Sequence, residues 1–245
     1  MTVYLEEAKA YLEEHGWAHI PSVLSKQEAA HAQIGSGRPT SVRVFYLTEL
    51  DQLFRNLIAH PTAVEMHGAA LKPGPRLPGT LAGRLGAALN VVWCLTDVRE
   101  ENGTTQYIPG RNRWAYRGQV PANAPDLLVP FEGEAGDAIV MGGRVWYTSG
   151  SNVTEDEDCA LLFGYYTAPA MRQLANWTAK SPKDIQDSLS PEMREWLGLN
   201  PGWKHRLDGG LEALERIVPG CEKKNRKQRA DGNYLGARDN RAEDE

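Results

Sequence analysis

The side chains able to hold a metal ion are scattered through this sequence rather than gathered in a ligating pattern. Residues two apart on a strand point to the same side, so His-x-Asp or His-x-Glu is the spacing that seats a metal on a sheet. None of the histidines (His15, His19, His31, His60, His67 and His205) stands two residues before an acid. Glu65 and His67 have the reversed spacing, but they fall in a helical stretch, where residues two apart do not share a face. Cys94, Cys159 and Cys221 form no Cys-x-x-Cys pair and no disulfide framework, as expected of a reducing compartment. Tyr147 is a candidate acid or base for a metal-free step. Cys159 is a reactive thiol if it faces a cleft; the default is a buried, inert one.

The elements that must position these groups change character along the chain. Val3, Tyr4, Ala8, Tyr11, Leu12 and His15 recur at helical spacing, and Gly16 stops that helix. Trp17 to Ile20 reads as a short strand ended by Pro21. Ser25, three residues before Glu28, is a capping box that opens a second helix. Thr48 and Asp51 read as another box, before an apolar stripe of Leu50, Leu53, Phe54, Leu57 and Ile58. Pro61 starts one more helix, running to about Leu71. Residues 72–86 (KPGPRLPGTLAGRLG) are too rich in proline and glycine for regular structure. Short β-prone runs follow at 89–95, 105–108, 138–141, 145–147 and 159–166, separated by turn signals such as Asn102-Gly103 and Gly142-Gly143. Ser181-Pro182 and Ser190-Pro191 each read as an N-cap with proline at the first helical position.

Helices first and short strands afterwards predict a mainly β jelly roll (a double-stranded β-helix) with a helical N-terminal buttress. One domain is expected over 1–220: helical to 71, a β core over 87–168, and helical again over 181–220. A charged, disordered tail is expected over 221–245. A net charge of -5 gives no hint of a nucleic-acid partner. No apolar run approaches the roughly 20 residues of a membrane span. The opening MTVYLEEAKAYLEEHGW has no basic region followed by an apolar run, so a cytoplasmic location is expected and the Asn-x-Thr sequons at 102, 152 and 176 read as chance.

Two blocks carry a family resemblance. Residues 89–114, LNVVWCLTDVREENGTTQYIPGRNRW, and 136–168, GDAIVMGGRVWYTSGSNVTEDEDCALLFGYYTA, resemble the central and C-terminal blocks of the phytanoyl-CoA dioxygenase family of Fe(II)/2-oxoglutarate-dependent oxygenases. The opening Tyr-Leu through Gly-Trp, Ile-Pro and Val-Leu-Ser is similar too, and the tone is that of natural-product tailoring enzymes acting on terpenoids and alkaloids. The resemblance implies iron held by a His-x-Asp pair and a distal histidine, and 2-oxoglutarate held by an arginine.

Against that pattern the chain departs at each point. The His-x-Asp pair should precede residue 89, where 72–86 reads as a deletion that removes a core strand. The distal histidine falls at Tyr147 and the arginine at Cys159. A phenol of pKa about 10 does not replace an imidazole, and a thiol does not fork onto a carboxylate. No cofactor is therefore expected. Trp93, Thr105, Tyr107, Arg144, Trp146 and Asn152 are the pocket candidates, with ordinary sheet packing the commoner role for the aromatics. Arg144 is as often a surface ion-pair partner, and Asn152 a loop tie. The resulting expectation is a pseudo-oxygenase, either a small-molecule binder or the hetero-oligomeric partner of an active paralogue. The alternatives are a metal-free, isomerase-type enzyme and a truncated form of an active hydroxylase.

Overall fold

The computed structural model describes residues 2–33, 43–71, 88–110, 121–168, 171, 173 and 175–199. The expected deletion at 72–86, the tail at 221–245 and the helical stretch beyond 199 lie outside the described residues.

Helix α1 (Thr2–His15) ends as Gly16 takes φ +84 and turns the chain into β1 (Trp17–Ile20). Both bonds of the Ser25/Glu28 capping box form at the start of α2 (Lys26–His31). The second predicted box does not form. Thr48 is drawn into a 3-10 turn, Leu47–Glu49, and Asp51 alone caps α3 (Gln52–Ile58), accepting from the Leu53 N–H at 2.7 Å. Pro61 opens α4 (Pro61–Ala70), a place where its missing N–H costs no helix bond and its fixed φ is already helical.

The strands are β2 (Ala88–Cys94), β3 (Thr105–Tyr107), β4 (Val129–Pro130), β5 (Ala138–Gly142), β6 (Tyr147–Ser149) and β7 (Leu161–Thr167). They form an antiparallel four-stranded sheet, β1-β5-β2-β7, and an antiparallel three-stranded sheet, β4-β3-β6. The predicted run at 145–147 starts two residues late. Val145 is held in a turn onto the Gly142 carbonyl and buried between the sheets, so pairing begins at Tyr147. Three short helices follow, α5 (Trp177–Lys180), α6 (Lys183–Ser188) and α7 (Pro191–Trp196). Ser190 caps α7 as expected, but Ser181 is one residue too early and Pro182 is the residue that precedes α6.

The chain is thus mainly β with N-terminal helices, two antiparallel sheets face to face in the jelly-roll manner. Seven strands are described, one fewer than the eight of a full jelly roll. Among the described residues no helix is long and apolar enough to cross a membrane.

The two faces of the larger sheet serve different layers. Leu89, Val91, Trp93, Val140, Leu162 and Tyr166 pack under α1, α3 and α4. Val92, Cys94, Ile139 and Met141 point the other way, against Tyr107 and Phe131, a stacked pair with centroids 4.1 Å apart. One layer is helix on sheet, and the other is sheet on sheet.

Candidate functional site

Strand register puts two rows of side chains across the inward face of the four-stranded sheet. Trp17, Met141, Asn90 and Tyr165 make one; His19, Ile139, Val92 and Phe163 make the next. The β5 side of this face is closed, because Trp17, Tyr107 and Phe131 pack over Met141 and Ile139. The β7 side is open: Phe163 and Tyr165 remain 49% and 46% exposed. On the smaller sheet, Tyr107 pairs with Tyr147 and Thr105 with Ser149, so all four share the inward face. Both β6 and β7 are edge strands among the described residues, joined by the loop 150–160. The exposed aromatic side chains of Tyr147, Phe163 and Tyr165 along these two edges mark the candidate cleft.

The candidate residues divide between this cleft and elsewhere. Tyr147 lines it and is 55% exposed. Thr105 lies on the same inward face, half-buried. Cys159 stands just before β7, half-buried against the inter-sheet core. Burial pushes its thiol up, and the neighbouring Thr104 side chain opposes this only in part. Cys94 nearby is pushed up to about 12 by burial. Neither sulfur is thereby made a nucleophile. Tyr107 points inward but is sealed by its neighbours, its hydroxyl pushed up to about 12 by burial. Trp146 is exposed, one residue out of phase with Tyr147, and Arg144 occupies the turn before β6.

Two candidates are placed away from the cleft. Trp93 is 1% exposed and faces the helices, its ring 5.1 Å from that of His60. It is out of phase with Val92 and Cys94, so the strand carries it to the opposite face. Asn152 is a loop tie. Its amide donates to the Glu157 carbonyl at 2.7 Å, and its oxygen accepts from the Thr154 N–H at 2.9 Å and the Thr154 hydroxyl at 2.6 Å.

Sequence reasoning passed over Asn90, the one polar residue within the run 88–94. Its signal was available as an amide in a stretch where amides are depleted, but only the register gives it a face. Also passed over was Asp137. This buried carboxylate accepts from the Ser22 N–H (2.7 Å) and the Glu134 N–H (2.9 Å), and lies 2.7 Å from His19 Nε2.

The donor set can be tested against the iron and 2-oxoglutarate that the resemblance implies. Among the described residues, no three His, Cys, Asp or Glu side chains are grouped to hold a metal ion. His19 is the one described histidine on the inward face, and it sits at the far edge from β7, tied to Asp137. His60 caps α4, and His67 packs its ring against Tyr166 and Trp196 on the helical side. Glu65 is engaged by Lys9 at 2.6 Å, beside a shallow hollow of about 390 Å³ between α1 and α4. The phenol of Tyr147 and the buried thiol of Cys159, to which the resemblance assigns the distal histidine and the arginine, do not fit the group.

Burial lowers the pKa of both His60 and His67 from the usual 6.5. The unfolded chain therefore takes up protons first as pH falls through 6.5, and stability declines until the folded imidazoles titrate in turn. Urea midpoints should fall between pH 7.5 and 5.5, and His67→Gln should flatten that fall. An unchanged slope in the variant would contradict the burial.

Comparison with known proteins is consistent with the geometry. Residues 73–157 match the phytanoyl-CoA dioxygenase (PhyH) family. The chain is 45% identical over 245 residues to Dioxygenase af480 of Aspergillus fumigatus, covering 82% of this chain and 79% of that protein. It is 29% identical over 135 residues to Dioxygenase trt7 of Aspergillus terreus, where 54% of this chain and 46% of the relative are covered. Among solved structures, the non-heme alpha-ketoglutarate-dependent epimerase SnoN from nogalamycin biosynthesis matches with a TM-score of 0.53 and 18% identity, covering 69% of this chain and 83% of that one. Apo HygX from Streptomyces hygroscopicus matches with a TM-score of 0.52 and 15% identity, covering 66% and 87%. These two likenesses show the fold.

Proposed function

This chain belongs to the phytanoyl-CoA dioxygenase family, and we propose that within it the chain binds an apolar, cyclic small molecule of secondary metabolism without iron-dependent oxygenation. One observation carries the reading. Tyr147 on the inward face of β6, and Cys159 packed against the core at the approach to β7, stand where the family resemblance calls for a metal histidine and a 2-oxoglutarate arginine, beside a cleft bearing Phe163 and Tyr165 with only a few polar side chains. Apolar clefts with few polar groups are the usual form of a small-ligand site. Iron chemistry needs a carboxylate and imidazole set, and among the described residues no three His, Cys, Asp or Glu side chains are grouped to hold a metal. The chain would act alone as a binder, or beside an active paralogue whose substrate or product it holds.

A second reading, a shortened form of an active dioxygenase, draws on the 45% identity to a protein bearing that name. The two differ in turnover. Given Fe(II), ascorbate, 2-oxoglutarate and air, the chain should release no succinate above a protein-free blank. Succinate formed in proportion to protein would favour the second reading and overturn the first.

A further inference from the structure

We propose that Asn90 selects the ligand of the inter-sheet cleft, by hydrogen-bonding one hydroxyl or carbonyl oxygen of an otherwise apolar cyclic molecule. The inference rests on the binding reading above and adds the chemical class that the cleft takes.

Asn90 pairs with Met141 on one side and Tyr165 on the other, which fixes it on the inward face. Every other member of β2 is buried and none of them is polar. An amide carries two donor hydrogens and an acceptor oxygen, yet that of Asn90 makes no hydrogen bond to the described residues, and it is half-buried. Asparagine is also among the poorest strand formers. A residue that weakens its strand and satisfies no neighbour is placed as a ligand-facing group is placed. Its partial exposure leaves the amide accessible to water in the free protein. A ligand oxygen would replace that water, while Phe163 and Tyr165 cover the rings beside it.

The probes are 2-naphthol and naphthalene, which differ by one hydroxyl, titrated into the full chain and followed by naphthyl fluorescence. The wild-type chain should bind 2-naphthol about tenfold more tightly than naphthalene, the worth of one net hydrogen bond. Asn90→Val should erase that preference and leave naphthalene binding in place. Asn90→Thr, which keeps a hydroxyl and suits a strand, should retain part of the preference, and it carries the test if the valine variant fails to fold. A preference that persists in the valine variant, or is wholly lost in a folded threonine variant, would overturn the role of Asn90 and leave the cleft standing. Failure of the wild-type chain to bind either probe would overturn the cleft reading together with it.

Discussion

Trp93→Ala should lower the free energy of unfolding by about 3–5 kcal/mol, the range for truncating a buried large aromatic. The ring is 1% exposed and packs beneath the helices beside His60. Its removal leaves a cavity whose walls belong to α3, α4 and the sheet, elements that cannot all close in at once. Domains of this size are stable by only about 5–15 kcal/mol, so the variant should melt many degrees lower or fail to accumulate. Tyr147→Ala, on an exposed cleft position, should change stability by about 0.5 kcal/mol or less. Urea unfolding of both variants checks the assignment. The reverse order would place Trp93 in the cleft and Tyr147 in the core.

Asp137→Ala should also destabilise, by about 1–3 kcal/mol, since removing a buried acceptor leaves its hydrogen-bond partners unsatisfied. The Ser22 and Glu134 N–H groups and His19 Nε2 all lose their partner. Ser22 is held at φ 52, a conformation that is unfavourable for a residue with a side chain. The preceding Gly136 has φ +99, and a Cβ there would come within 2.3 Å of the Leu24 carbonyl oxygen. Gly136 and Asp137 together therefore clasp the β1–α2 turn to the start of β5. Asp137→Asn keeps one acceptor oxygen and should recover part of the loss in the same urea experiment. Full stability in the alanine variant would show that the clasp is not needed.

Much of this fold was legible in the sequence because local rules were obeyed. The Ser25/Glu28 box, Gly16 after α1, Pro61 at the start of α4 and Ser190-Pro191 at α7 each act where their chemistry predicts. The second box failed because Thr48 was taken into a 3-10 turn, which local spacing does not reveal. The cleft was legible in part. Tyr147 and Thr105 fall on the inward face and Cys159 packs against the core behind it, whereas Trp93 does not face the cleft. A strand buried on both sides reads as a continuous apolar run, so LNVVWC does not say which alternate residues look inward. The pairing of Asn90 with Met141, and of Met141 with Trp17, settles that, and it is long-range information. The Gly136-Asp137 pair was visible as part of a family block, but its physical task appears only when Ser22 and Leu24 are brought against it.

The most direct measurement of the central claim is an anaerobic titration of the full chain with Fe(II) and 2-oxoglutarate, followed in the visible for the metal-to-ligand charge-transfer band. If Tyr147 and Cys159 stand in place of the histidine and the arginine, as proposed, no band should develop at millimolar ligand. A band that saturates at one iron per chain would contradict the claim and require a ligand set other than the one the described residues present.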